Sequence, residues 1–222
     1  MQDPIQRHPT RAEQLDILVT AVSETCPDGG SVLDLGCGTG YVGHLLAGQR
    51  PDLHFTGVDL SPDALQDAAS NLATFAHAPA LVPADLSQLS QLEPALGKYD
   101  AIWSALTFHD LEHPAKEALI TWMANAVSPD GFVFVYDRIR LTQAETFPLQ
   151  RAIWKRIEAV HGAAMRGADS YPAYIEDLDR TNRPAPLASY FEWFANAGLT
   201  AQLLHLHGNI MLIAGARQAG AA

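Results

Sequence analysis

The 222-residue chain has two cysteines, Cys26 and Cys37, too few for a disulfide framework or a cysteine-based metal cluster. Both read as small packing residues, and a reducing, cytoplasmic compartment is the expectation that follows. Long apolar runs are also missing. The polar start Met1–His8 lacks the apolar stretch of a signal peptide. The longest runs, such as Phe132-Val133-Phe134-Val135-Tyr136, are strand-sized and far short of the ~18–20 residues a membrane helix requires. Positive charge is scarce: 14 basic against 25 acidic residues give a formal charge of −11. That balance argues against nucleic acid and against an anionic membrane surface, and favours a small ligand. There is no internal repeat and no low-complexity linker; only the alanine-rich tail after Ala214 reads as disordered. What is present is globular: 48% hydrophobic and 18% charged residues, a length fit for one domain over 1–222.

Short apolar runs alternate with amphipathic stretches. The runs at 31–35, 54–59, 80–83, 99–104, 132–137, 201–207 and 210–214 predict strands. The stretches at 41–49, 61–75, 87–96, 116–127 and 188–197 predict helices, after an N-terminal helical segment within 1–30. Ser61-Pro62-Asp63 is a helix start, an N-cap followed by proline at the first helical position. Such alternation implies an α/β fold with a mostly parallel sheet covered on both faces. His207-Gly208-Asn209 between the last two runs is a hairpin signal, which makes the final strand antiparallel.

The rhythm breaks over 138–186. This insertion predicts a helix at 147–160, a glycine/alanine-rich joint at 161–168 and a second helix at 171–179, closed by Asn182-Arg183-Pro184-Ala185-Pro186. Structureless or inserted segments of this length are usually functional, and a helical lid between strands 5 and 6 is the expected role. Two other roles are open to it: a packing elaboration or a homodimer surface.

The strongest local signal is Val32-Leu33-Asp34-Leu35-Gly36-Cys37-Gly38-Thr39-Gly40, a buried strand running through three glycines into a helix. Glycine lets a ligand approach the main chain without a Cβ in the way. A phosphate-binding P-loop is excluded because Gly38 and Gly43 have the spacing but His44 stands where lysine is needed. A dinucleotide fingerprint is excluded because Tyr41 stands where the third glycine is needed. What remains is Asp-x-Gly-x-Gly-x-Gly, whose acid repels pyrophosphate and suits a cationic group. Asp59, in Gly57-Val58-Asp59-Leu60, ends the second strand, where an acid reaches the ribose of a bound nucleoside. Asp85, in Pro83-Ala84-Asp85-Leu86, follows the third, where a carboxylate can accept from an adenine amine.

These residues resemble the class I S-adenosylmethionine-dependent methyltransferases from about Val32 to Ala214. The first motif falls on Val32–Gly40, the ribose-binding acid on Asp59 and the adenine-contacting acid on Asp85. The fourth motif falls on Tyr99-Asp100-Ala101-Ile102-Trp103-Ser104-Ala105-Leu106, and the turn before the fifth strand on Ser128-Pro129-Asp130-Gly131. The resemblance implies a Rossmann-like seven-stranded sheet of order 3-2-1-4-5-7-6 with helices on both faces. It implies S-adenosyl-L-methionine as cofactor, held by Asp34, Gly36, Cys37, Gly38, Gly40, Asp59, Leu60, Asp85, Leu86, Ser104 and Leu106. It further implies methyl transfer to a small-molecule acceptor. Such a transfer is an in-line displacement in which alignment supplies much of the catalysis, and a base is needed only for a protonated nucleophile.

Leu106-Thr107-Phe108-His109-Asp110-Leu111 follows the fourth strand and resembles the Leu-Ser-x-His-His-Leu segment of some of these enzymes. His109 is thus the candidate general base, with Asp110 beside it, and a structural capping histidine is the alternative. His109-Asp110-Leu111-Glu112-His113 also spells the zinc-peptidase pattern H-x-x-E-H, but Pro114 disfavours helix at His113. No metal is expected, there or at His205 and His207, which share a strand face. In the insertion Arg151, Trp154, Arg156, Arg166, Tyr171, Tyr174 and Arg180 are candidates for gripping an acidic or planar acceptor, Trp154, Tyr171, Tyr174 and Arg151 foremost. Pairing with Glu158, Glu176 or Asp177 is the alternative for the arginines. The segment 104–111 and the insertion also resemble carboxy-S-adenosylmethionine synthase, which modifies the cofactor itself. A non-catalytic cofactor-binding protein is a third reading.

Overall fold

The computed structural model describes residues 10–95, 97–162 and 167–217. Its elements in order are α1 (Arg11–Thr25), β1 (Ser31–Leu35), α2 (Tyr41–Ala47), β2 (His54–Asp59), α3 (Pro62–Asn71), β3 (Ala80–Pro83), a 3-10 helix (Leu89–Ala95), β4 (Tyr99–Ala105) and a short 3-10 turn (Phe108–Asp110). They continue with α4 (His113–Ala126), β5 (Val127–Arg138), α5 (Phe147–His161), α6 (Tyr171–Thr181), α7 (Leu187–Asn196), β6 (Leu199–His207) and β7 (Ile210–Arg217). One sheet of order β3-β2-β1-β4-β5-β7-β6 runs through the molecule. Pairing is parallel from β3 across to β5, and β7 lies antiparallel to both β5 and β6.

Both faces of the sheet are buried because its strands alternate two apolar sets. Leu33, Ile102, Val133 and Ile213 face one layer with Leu119, Met123, Tyr190 and Phe194 of α4 and α7. Val32, Trp103, Phe134 and Leu212 face the other, with Leu15, Leu18 and Val22 of α1 and Leu46 of α2. A period of two thus supplies two cores from single strands, the pattern of a doubly covered sheet. The start of α3 is as its sequence predicts: the Ser61 hydroxyl accepts from the Ala64 amide, 3.2 Å away, and Pro62 opens the helix.

Four local expectations are corrected. The helix expected over 87–96 is a 3-10 helix ending at Ala95, with Leu96 outside the described residues. Residues 128–131 do not precede β5 but bulge within it: Val127 pairs with Tyr99 and Phe132 with Ala101. Strand β7 continues past Ala214 to Arg217, because Gly215 and Ala216 pair with Val133 and Phe132. Finally, α4 begins at His113, since Pro114 in a first turn has no intrahelical hydrogen bond to lose. His109 therefore stands in a 3-10 turn and His113 in a separate helix, not together on one helix face.

Candidate functional site

Parallel strands deliver their carboxyl ends to one edge of the sheet, and the strand order puts β1 at its centre. Asp34 there is in register with Gly57 of β2 and Trp103 of β4. The chain then turns over β2, where the amides of Gly36 and Cys37 both donate to the Val58 carbonyl at 2.7 and 2.9 Å. Gly36 has φ +78°, and a Cβ on it would lie 2.3 Å from Thr107 Oγ1, so the segment after β4 rests on bare backbone. Gly38, at φ +53°, has open space where its Cβ would be. Gly40 faces Leu72 of the neighbouring layer instead, which makes it a packing glycine.

Two adjoining clefts open at this edge and share Gly36, Asp59 and Thr107. The first, of about 420 Å³, is lined by Asp34, Cys37, Gly38, Tyr41, Leu106 and, from α1, Arg11 and Leu15. The second, of about 490 Å³, is lined by Leu60, Asp85, Leu86, Asp110, Leu111 and Glu112. Leu60 is 70% exposed there, an apolar platform at the rim. Asp59, on the shared wall, accepts from the amides of Gly38 (2.7 Å) and Ser61 (2.9 Å). Asp85 accepts from the Ser87 hydroxyl and amide, and these bonds hold its carboxyl below the ordinary range.

Asp34 is the electrostatic singularity of the site. It is 1% exposed, and its Oδ1 has no hydrogen-bond partner. Burial pushes its carboxyl up to about 8. The Trp103 indole offsets this only in part, its Nε1 having no partner at hydrogen-bond geometry, and the charge of Asp59 adds to the rise. A buried carboxylate oxygen without a donor, on the wall of an open cleft, is arranged for a cationic or hydrogen-bond-donating ligand. Leu106, with φ +59°, is the non-glycine residue of positive φ among the described residues. Such a conformation costs about 1–2 kcal/mol and turns the chain off β4 so that Ala105, Leu106 and Thr107 line the first cleft.

Behind Thr107 lies a second polar cluster. His109 Nδ1 is 2.6 Å from Oδ1 of Asp137, and the His109 amide donates to Oδ2 at 2.7 Å. Asp137, the next-to-last residue of β5, is fully buried. His109 Nε2 lies 3.7 Å from Asp110, which in turn accepts from Asn182 Nδ2 at 3.0 Å. His109 itself lines neither cleft, whereas Asp110 lines the second. Lys116, also fully buried, donates to the carbonyls of Leu111 and Arg183, and burial lowers its ammonium to about 8. The Arg183 amide donates to His109 O at 2.6 Å, and its guanidinium pairs with Glu112 at 2.7 Å. The segment after α6 is thereby bound to the segment after β4.

The structure brings Asp34, Gly36, Cys37, Gly38, Asp59, Leu60, Asp85, Leu86, Leu106 and Asp110 together around the two clefts. It does not bring Ser104 there: its hydroxyl is buried and donates to Leu35 O at 2.7 Å, tying β4 to β1. The insertion residues also fall elsewhere. Trp154, Tyr171 and Tyr174 join Phe147 in an aromatic core of their own. The Tyr171 hydroxyl donates to Leu141 O, and the Leu141 amide donates to the Tyr174 hydroxyl. Arg151 pairs with exposed Asp169 at 3.5 Å, and Arg180 with Glu176 at 3.5 Å. Arg166 lies outside the described residues. His205 and His207 meet at 6.3 Å between ring centroids, with His205 Nδ1 3.2 Å from Gln14 Nε2; among the described residues no group of three potential ligands is placed to hold a metal.

Sequence reasoning missed Asp137, although an acid closing β5 obeys the rule that singled out Asp59 and Asp85. It also missed Arg11 and Leu15, for which no local signal exists. They reach the cleft because buried Gln14 donates to Ile210 O (3.1 Å) and accepts from the Tyr136 hydroxyl (3.0 Å), fixing α1 across β5 and β7.

Comparison with known proteins agrees with this architecture. A family model described as a methyltransferase domain matches residues 32–131. A malonyl-[acyl-carrier protein] O-methyltransferase of Laribacter hongkongensis is 36% identical over 109 residues, 46% of this chain and 35% of that protein. A ribosomal RNA small subunit methyltransferase C of Hamiltonella defensa is 37% identical over 84 residues, 37% of this chain and 23% of that protein. The chain thus matches about a third or less of the length of these two relatives. The structure of magnesium protoporphyrin IX methyltransferase from Synechocystis with bound SAH superposes with a TM-score of 0.62 at 17% identity, over 93% of this chain and 83% of that one. At that identity the likeness is one of fold.

Proposed function

We infer, from the methyltransferase domain carried on residues 32–131, that the chain binds S-adenosylmethionine and transfers its methyl group to a small-molecule acceptor. The observation that carries this reading is the unpartnered, buried Oδ1 of Asp34 at the mouth of the glycine turn. The residues fit the cofactor in both charge and shape. Asp34 offers an acceptor to the ammonium of its amino-acid part, and Arg11 on the same cleft offers a cation to its carboxylate. Gly38 leaves its backbone open to the ligand. Asp59, on the wall between the clefts, suits the ribose hydroxyls, and Leu60 and Leu86 flank room for a planar base beside Asp85. When bound, the cofactor supplies an electrophilic methyl on sulfur.

We assign proton uptake to His109 acting through Asp110, since Asp110 lines the second cleft and His109 does not. Because a carboxylate only accepts, the Nδ1 proton of His109 belongs to the bond with Asp137, which leaves Nε2 as the basic nitrogen. Nδ1 and Nε2 of His109 thus face Asp137 at 2.6 Å and Asp110 at 3.7 Å. A net charge of −11 supports a small acceptor over RNA, the substrate class in the name of one relative. The same charge disfavours an anionic membrane surface, and among the described residues no helix is long and apolar enough to cross a membrane. We place the protein in the cytoplasm, its two buried, unpaired cysteines being consistent with a reducing compartment.

Calorimetry with S-adenosylhomocysteine (SAH) tests the reading. Wild type is expected to bind it, and Asp34→Asn to bind it roughly tenfold or more weakly, as for loss of a charge-assisted hydrogen bond. Absence of binding to wild type overturns the proposal. Mass spectrometry of ligand released from the purified protein separates it from cofactor carboxylation. Arg151 and Arg180 of the insertion, held by Asp169 and Glu176, line neither cleft and so are not placed to hold the extra carboxylate of that product.

A further inference from the structure

Apart from the two clefts, a cavity of about 70 Å³ lies between the insertion and the sheet. Arg138 at the end of β5, Asn182 after α6, Asn209 and Ile210 at the β6–β7 turn, and Trp154 and Tyr174 from α5 and α6 form its wall. At roughly 10–15 Å³ for each water, it has room for about five waters, or a carboxylate on a short carbon stem. A fused ring system is too large.

Arg138 is distinctive among the arginines at this end of the molecule. Arg140, Arg151, Arg180 and Arg183 each pair with a carboxylate. The guanidinium of Arg138 instead donates from NH1 to the neutral Oδ1 of Asn182 at 2.8 Å. Arginine carries five donors in a planar fork that matches a carboxylate bidentately, and a half-buried fork bonded to an amide keeps most of that capacity. The Trp154 and Tyr174 rings offer apolar surface to the stem behind the charged group. The single guanidinium of Arg138 matches one carboxylate. Asn182 also stands between the cavity and the second cleft, since its Nδ2 donates to Asp110 on the cleft wall.

We propose that Arg138, set by Asn182, is the carboxylate-binding subsite for the methyl acceptor, and that the acceptor is a small monocarboxylic acid. The assignment rests on the methyltransferase reading for the word acceptor, but not for the binding of the anion. The acid anchored at Arg138 stands one side chain, Asn182, from Asp110 on the cleft wall.

Ligand-observed NMR with butyrate and its uncharged counterpart butyramide tests it, on protein without and with SAH. Butyrate is expected to bind roughly tenfold or more tightly than butyramide, the discrimination expected of a charge-assisted pair. Arg138→Gln is expected to remove that preference, and Arg138→Lys, which keeps the charge but loses the fork, to restore it in part. Thermal melting and SAH titration of each variant establish that it is folded. Equal binding of the acid and the amide, or undiminished butyrate binding by folded Arg138→Gln, overturns the subsite. Failure of wild type to bind SAH while the butyrate preference persists overturns the methyltransferase reading and leaves an anion site at Arg138.

Discussion

The Nδ1 atom of His109 lies 2.6 Å from Oδ1 of Asp137, across 28 residues of sequence and in a fully buried setting. The same carboxylate accepts from the amides of His109 and Arg138, so one side chain fixes the imidazole, the turn after β4 and the end of β5. Removing it leaves three donors without their acceptor. Breaking a buried charged cluster by removing one partner costs about 3–5 kcal/mol, a fall in Tm of roughly 6–20 °C for a chain of this size.

Asp137→Ala is therefore expected to melt well below wild type, whereas His109→Gln separates structure from catalysis. With an acceptor whose nucleophile is protonated, His109→Gln is expected to lower kcat by about 10²–10⁴-fold with unchanged SAH affinity. An undiminished kcat in folded His109→Gln would assign His109 to structure alone.

Asp34 makes both stability and cofactor binding depend on pH. Burial raises its carboxyl from the ordinary 3.8 to about 8 in the folded protein, so the free protein carries that proton at neutral pH. Its contribution to stability is complete below pH 3.8 and is lost as pH climbs to about 8. The Tm of ligand-free wild type is expected to fall over that window more steeply than that of Asp34→Asn. A cationic amine binds the ionised carboxylate, so SAH affinity rises with pH toward 8, by at most about tenfold per pH unit, and then levels off. Parallel Tm–pH curves for wild type and Asp34→Asn would refute this role.

Lys116 has the opposite sign. Burial lowers its ammonium from 10.5 to about 8, so its contribution is complete above pH 10.5 and lost as pH falls toward 8. Lys116→Met is expected to flatten this alkaline rise. It also leaves the carbonyls of Leu111 and Arg183 without their buried donor, at about 1–3 kcal/mol. Because those carbonyls flank the two chain segments joined there, hydrogen exchange is expected to quicken around 109–112 and 182–184, and not in β1. Unchanged exchange in Lys116→Met would show that the lysine does not hold the segments together.

The local signals that proved sufficient all come from short-range rules. Short, near-continuous apolar runs marked the seven strands, because a strand between two helical layers is apolar on both sides. Asp34, Gly36 and Asp59 were legible because a turn from strand into helix needs glycine where Thr107 packs close, and because a parallel sheet puts every strand's end at one edge. Ser104 misled for the same reason: its place at a strand end is right, but the rotation of β4 turns its hydroxyl onto Leu35 O. The aromatic residues of the insertion fall away from the two clefts because Trp154, Tyr171 and Tyr174 bury one another around Phe147. The sequence by itself determined the strands, their order through family resemblance, and the acids lining the clefts. The tertiary structure alone decided that α1 brings Arg11 to the cleft that Asp34 lines, that Asp137 grips His109, and that Arg138 keeps a neutral partner. Each of these depends on chain segments far apart in sequence, joined by side-chain bonds that no local spacing encodes.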